Sequence, residues 1–426
     1  MNKNISGERL LYSVYFIYFF CGMAMCFEGA FMPEFKEHFH LTYQQQMYTM
    51  FAKNVPFIFF SILIGLLSRK IGFKNCLTIA LFLFAAGTAL LIPGMRSGNY
   101  ALVLAAFFII GTGFNFELVA GNPMLSWLGD PAGSSSRLNL GNALGTIAQI
   151  ISPLIIVLIL PSGITTVSDK IPYMNGIFLG ITVILIVTGL ITIMLKDVKV
   201  DLPQEKAGES SAAPETPKVW QNKKLLLGFL AIFVALGTES GIFGLYRNYV
   251  EDPLIASLSS HLSYILYTIY FAMFACGRLI GAWVQKKIRP VQTLVICVIA
   301  GIVLLFLMMI STGTVSVVSI TLLGFFISIF FPTLYAISIE GLGKDTPIGS
   351  GLLTMGFLGA ALLPVLQGKI ADWLGLKYSF IISILSYLYV LYFTLRFKKG
   401  RTEPKSEVCS GTRDGRPRIY CKTGFL

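Results

Sequence analysis

Twelve apolar runs, each about as long as a bilayer is thick, limit what this chain can fold into more than any other feature. The first six cover roughly 10–32, 46–67, 76–93, 100–127, 138–160 and 173–195. The second six cover roughly 225–247, 262–284, 291–311, 315–339, 349–370 and 378–396. A helix needs about 20 apolar residues to cross a bilayer. Inside lipid its backbone N–H and C=O groups must pair within the segment. The expected fold class is therefore an all-α membrane protein, twelve transmembrane helices in two six-helix halves. Composition agrees: the chain is 55% hydrophobic but 13% charged, against about 25% charged residues in soluble domains. A mean hydropathy of +0.74 argues in the same sense against a soluble enzyme. The first run begins near Leu10 and has no small-residue cleavage site behind a short apolar core, so it reads as a retained helix.

The polar stretches divide the chain. Residues 1–195 form the N-terminal half, 196–224 a linker holding "GESSAAPETP", 225–397 the C-terminal half, and 398–426 a basic tail. The linker composition, rich in Lys, Glu, Pro and Ser, is that of a flexible connector. Lys and Arg follow helix 2 (Arg69, Lys70, Lys74), helix 8 (Lys286, Lys287, Arg289) and helix 12 (Lys398, Lys399, Arg401), and six Lys lie in the linker. Twelve crossings put all of these on one side, which the positive-inside rule makes cytoplasmic together with both termini. The net charge of +12 thus belongs to membrane loops and gives no reason to expect a nucleic-acid partner. Three His and seven scattered Cys form no zinc or disulfide pattern. No HExxH, G-x-S-x-G or phosphate-loop motif is present, so neither an enzyme nor an ATP-driven pump is indicated, and no cofactor is expected.

Function therefore rests on polar residues at membrane depth, which are costly there and mark sites by default. Glu28, Glu117 and Glu239 stand in helices 1, 4 and 7. A carboxylate in apolar surroundings can exchange a proton near neutral pH, which makes these three the candidate coupling groups. Glu28 reads either as such a group or as a side chain reaching the nearby outer interface. Lys53, with Asn54 beside it, should lie at the depth of Glu28, because helices 1 and 2 are antiparallel. An ion pair is the cheapest way to hold both in a membrane. Lys53 is then either structural or a contact for an anionic substrate group. Asn115 and Asn122 flank Glu117 and reach either sugar hydroxyls or a neighbouring helix; Asn122–Pro123 is expected to break helix 4. Asn139, Asn142 and Gln149 fall on one face of helix 5, a polar stripe suited to a sugar path. Phe271, Phe331 and Tyr335 are aromatic candidates for stacking on a sugar ring. Arg247 reads as an interface anchor, Arg137 as a gating or interface group, and Arg278 as a snorkelling or inter-helix group. Pro56, Pro123, Pro153, Pro332 and Pro364 interrupt the apolar runs. Two halves with interrupted helices suggest a rocker transporter with its site between the halves.

"GLLSRKIGFK" resembles the loop after helix 2 of the major facilitator superfamily. Further stretches resemble its fucose–proton symporter branch, which includes glucose/galactose carriers: "GNPMLSWLG…SRLNL", "GTESGIFG", "FACGRLIGAWV" and the "FFPTLYAISIEGLGKDTPIGSGLLTMGFLGAALLPVLQGKIAD" segment. That resemblance implies the major facilitator fold and import of a small sugar with protons across a bacterial inner membrane. It also implies coupling acids in helices 1 and 4. Ungapped alignment puts those acids on Gly29 and Leu118, so Glu28 and Glu117 each stand one residue early, about 100° around a helix. The aromatic pair common early in helix 2 is replaced by Lys53–Asn54. Proton-independent facilitation, carriage of an acidic or amino sugar, and sugar sensing without transport are the competing expectations.

Overall fold

The computed structural model describes residues 2–128, 134–161, 163–164, 166–195, 221–342 and 346–397. Most of the linker and all of the basic tail expected from the sequence lie outside these residues. Among the described residues, twelve helical spans are long and apolar enough to cross a membrane. In the first half they are Glu8–Ala30, Tyr43–Ser68, Phe73–Ser97, Tyr100–Trp127, Ser136–Ile159 and Val167–Met194. In the second they are Lys223–Glu251, Ser260–Val284, Pro290–Ile310, Thr314–Ile339, Gly349–Leu374 and Leu376–Arg396. They are numbered 1 to 12 below. The chain is a multi-pass membrane protein. An even number of spans returns both described ends to one face, here called the terminal side; the opposite face is the far side.

Packing within the halves follows one pattern applied twice. Span 1 packs on 5, 3 on both 4 and 6, and 2 on 4; shifted by six, span 7 packs on 11, 9 on both 10 and 12, and 8 on 10. Across the seam, span 2 meets 11 and span 5 meets 8, again a pair that exchanges under the same shift. Small residues set the closest approaches. A Cβ on Gly22 would lie 2.7 Å from the Gly145 carbonyl oxygen, and one on Gly237 2.6 Å from that of Gly359. These are the same crossings, 1 on 5 and 7 on 11. Without a hydrophobic drive between helices in lipid, such backbone-close packing is what holds spans together.

Among the described residues, spans 2, 10 and 11 are interrupted. Span 2 runs as Tyr43–Gln46, Tyr48–Asn54 and Pro56–Ile71; span 10 as Thr314–Ile327 and Phe330–Ile339; span 11 as Thr346–Thr354 and Phe357–Leu374. Pro56 supplies no N–H to the ladder, which ends one helical segment and starts the next. Span 4 corrects the expectation of a break at Asn122–Pro123: one helix runs from Tyr100 to Trp127 with Pro123 inside it. Tyr18 of span 1 braces this level, its ring packed where Gly121 has no side chain.

Among the described residues, hydrogen bonds and ion pairs between the halves lie from the middle of the bundle to the far side. Asp372 of span 11 accepts from the backbone N–H groups of Tyr43 (2.6 Å) and Gln44 (2.9 Å), capping the start of span 2 from the other half. Gln46 donates to Asn248 at 2.7 Å. On the terminal half of spans 5 and 8, by contrast, Asn139, Leu140, Asn142, Arg278 and Leu279 are exposed. Among the described residues, the bonds across the seam thus lie on the far side and in the middle of the bundle.

Candidate functional site

Lys53 is the penultimate residue of the middle segment of span 2, three residues before Pro56. Its Nζ contacts Glu28 Oε2 of span 1, and both side chains are buried. The ion pair places Glu28 inside the bundle, turned away from the interface. Glu28 Oε1 has no hydrogen-bond partner among the described residues. Lys53 Nζ also lies 3.7 Å from Met50 Sδ and 5.5 Å from the ring centroid of Phe243 in span 7, a cation–π contact across the seam. Span 4 presses on this point: a Cβ on Gly111 would sit 1.8 Å from the Lys53 carbonyl oxygen. Asn54 donates to the carbonyls of Met50 (2.9 Å) and Ala360 (3.4 Å), the second in span 11. Asn115 is buried beside the Pro56 break, donating to the Pro56 carbonyl at 3.1 Å and accepting from Ser61 at 3.0 Å. Both asparagines serve the interruption of span 2, where the ladder leaves carbonyls to be satisfied.

Glu117 is buried between spans 4 and 1, with the Cys21 thiol as its hydrogen-bonding neighbour. No cation pairs with it among the described residues. Asn122, five residues further along, accepts from Tyr18 at 2.8 Å. Glu239 of span 7 is half-buried and faces Arg278 of span 8. Arg278 donates to the Ser328 carbonyl at 3.4 Å, where span 10 breaks, with its guanidinium 4.6 Å from the Phe274 ring centroid. Arg278 is exposed at this depth. The three acids thus do not form one cluster: Glu28 has a lysine, Glu239 an arginine across a gap, and Glu117 neither.

Of the stripe on span 5, Asn142 is exposed and donates to the Leu138 carbonyl at 2.9 Å, while Gln149 is half-buried and its backbone carbonyl accepts from Cys26 at 3.4 Å. Tyr335 is half-buried against Phe331, their ring centroids 5.9 Å apart. Phe331 in turn meets Phe357 (5.8 Å), which stacks on Phe57 of the first half at 5.4 Å. Phe271 is buried among Phe243, Tyr267 and Tyr270, and so packs the second half. Arg137 donates to the carbonyls of Leu125 (2.9 Å) and Ser126 (2.8 Å), closing the end of span 4.

Arg247 requires correction. Expected at the interface, it is fully buried on the far side, in a cluster that reading the sequence did not find. Its two terminal nitrogens hold both oxygens of Glu34, at 2.7 and 3.2 Å, and one of them also reaches Glu251 at 2.5 Å. Glu34 accepts as well from Lys170 at 3.2 Å and from the Tyr264 hydroxyl at 3.0 Å. Burial alone pushes the Glu34 carboxyl up, but the charges of Arg247 and Lys170 outweigh it and hold it at about 2. The signal in the sequence was slight: Glu34 stands in the polar stretch "PEFKEHFH", but between the apolar Phe31, Met32 and Phe35, which the helix Met32–His38 turns inward.

The family model of the Major Facilitator Superfamily matches residues 14–357 and 253–420. The chain belongs to the major facilitator superfamily. Among proteins similar to it, the glucose/galactose transporter of Brucella abortus is 30% identical over 394 residues, which is 90% of this chain and 93% of that protein. The L-fucose–proton symporter of Escherichia coli is 25% identical over 384 residues, covering 86% and 87%. The crystal structure of the transporter FucP in its outward conformation superposes with a TM-score of 0.62 at 22% identity, over 92% of this chain and 99% of that one. An inward-facing bacterial homologue of the lysosomal transporter Spinster gives 0.75 at 12% identity, over 94% and 99%. Both superpositions show a shared fold.

Proposed function

We propose that this chain is a secondary active transporter that imports a hexose-like sugar or sugar derivative together with protons by alternating access. The names of its relatives supply the substrate class. The observation that carries the coupling is the contrast among the three acids. Lys53 compensates Glu28, and Arg278 faces Glu239. Glu117 is buried with a thiol for a neighbour and no cation, so a proton is what neutralises it. Protonation then lets this part of the bundle move through a dry seam, and a proton taken on one side is released on the other. Ligand and proton shift the halves because each binds the two states differently. Asn142, Gln149 and Tyr335 would line the sugar's path.

The proposal places the protein in a bacterial inner membrane with both termini cytoplasmic, which the Lys and Arg after spans 2, 8 and 12 support. Residues 1–195 and 225–397 are then the two moving halves, 196–224 their cytoplasmic linker and 398–426 a cytoplasmic tail. The repeated packing pattern supports that division. Exposure of Arg278 beside Glu239 favours, as a second reading, a sugar that carries an acidic group.

The test is the external pH of weakly buffered, de-energised cells when neutral, amino and acidic sugars are added. Alkalinisation with one of them is the expected result. Glu117→Gln should abolish this signal and proton-driven accumulation while sparing exchange of labelled sugar. Full accumulation by that variant would remove Glu117 from the coupling role. Equilibration of labelled sugar with no pH change in the parent protein would make it a facilitator.

A further inference from the structure

The far-side cluster has a property beyond closing the seam. Glu34 and Lys170 belong to the first half, Arg247 and Glu251 to the second. The cross-half contacts are Arg247 to Glu34, Arg247 to the Ala30 carbonyl, Tyr264 to Glu34, and Lys170 to Ser260 at 3.0 Å. Cut these, and two pairs remain whole. Lys170 still holds Glu34 at 3.2 Å, and Arg247 still holds Glu251 one helical turn away at 2.5 Å. Ser263 goes with the second pair, accepting from Arg247 Nε at 2.9 Å and donating to Glu251. The cluster is neutral as a whole and neutral in each part.

We propose that these four residues form a partner-keeping latch: Glu34 and Arg247 lock the far side shut, while Lys170 and Glu251 keep each of them compensated as the halves part. The reason is the moment before water enters the seam. A carboxylate or guanidinium pulled from its partner in a dry interface carries a desolvation cost that its former contact no longer offsets. A second counter-charge on the same half removes that cost from the barrier in both directions. The latch also differs from the coupling site. Facing Arg247, Lys170, Tyr264 and Glu251, the Glu34 carboxyl is held at about 2 and stays ionised at the pH values at which a transporter works.

This inference rests on the alternating-access reading above, but its test needs no sugar. Spin labels at Glu37→Cys and Leu254→Cys, both exposed on the far side in opposite halves, report the seam by their separation. Cys276, Cys409 and Cys421 are replaced by Ser. Glu34→Gln should raise the ratio of long to short separations at least ten-fold, and Glu34→Asp should restore most of it, which separates the latch from a folding defect. Lys170→Met and Glu251→Gln keep the Glu34–Arg247 pair, so the ratio should move less than three-fold. Their effect should be on rate. An impermeant maleimide, at concentrations where labelling outpaces reclosing, should modify Asn248→Cys from the far side at least ten-fold more slowly in both. An unchanged distance distribution in Glu34→Gln overturns the latch. Unchanged labelling rates in both Lys170→Met and Glu251→Gln overturn the partner-keeping role. A protein that carries no sugar but shows these shifts leaves the latch standing and fails only the sugar reading.

Discussion

Replacing Lys53 by Met tests the physical reading of the seam most directly. The change keeps an unbranched side chain of similar length and removes the charge. Glu28 is then left buried, with one oxygen already lacking a hydrogen bond and the other deprived of its ammonium. Breaking a buried pair by removing one partner costs about 3–5 kcal/mol, far more than the net worth of the pair itself. Loss of the Phe243 contact adds about 1 kcal/mol or less. At roughly 2 °C per kcal/mol for a chain of this size, the melting midpoint should fall by roughly 6–10 °C. The buried thiols of Cys21, Cys26 and Cys76 provide the assay, since a dye that fluoresces on reacting with a thiol reads their exposure during a heat ramp in detergent. Lys53→Met/Glu28→Gln should recover most of the loss, because no orphan charge remains. Residues in one ion pair are coupled, so the two single effects should not add. A melting point for Lys53→Met within about 2 °C of the parent, or a double variant no better than the single, would refute the assignment of Lys53 as the compensating charge.

Three further results are expected. Gly359→Ala should lower folded yield and cost about 1–3 kcal/mol by overpacking, since its Cβ would lie 1.8 Å from the Phe233 carbonyl oxygen, whereas Gly65→Ala, with nothing within 4 Å, should melt like the parent. Asp372→Ala removes the cross-half cap of span 2, worth about 0.5–2 kcal/mol as caps go, and should raise the long-separation population of the far-side spin labels several-fold. The folded pKa of Glu34 lies below its ordinary 4.5, so the stability that it contributes is present above pH 4.5 and is lost as pH falls toward about 2. The short-separation population should therefore hold constant from pH 8 to pH 5 and decline only below that, as measured by the same labels in buffered detergent.

The fold was legible because a bilayer imposes one length and one backbone geometry on every span. The boundaries that moved show where hydropathy loses information. Span 6 begins at Val167, before the expected start at 173, because Lys170 is buried in its first turn. Its charge is offset by Glu34, 136 positions earlier, which no local window reports. Span 2 begins at Tyr43, ahead of 46, because Gln44 and Gln46 find partners in the other half. The same blindness hid the far-side cluster: Arg247 looked like an anchor because its depth was legible but its partners were not. The Glu28–Lys53 contact could be anticipated, since two antiparallel neighbours joined by a short loop fix relative depth. Asn122–Pro123 shows the converse error. A proline in an apolar run signals a break only when neighbouring helices do not brace it, and here Tyr18 does.

The way the charges are shared between the halves also decides what a membrane voltage can act on. Each elementary charge carried through the full field is worth about 2.3 kcal/mol per 100 mV. Lys170 stays with Glu34, Arg247 with Glu251 and Lys53 with Glu28, so these six residues rotate as three dipoles of zero net charge. Their rearrangement displaces little charge along the membrane normal. With a neutral sugar, current recorded from such a protein would then count protons delivered, with almost no gating component beneath it.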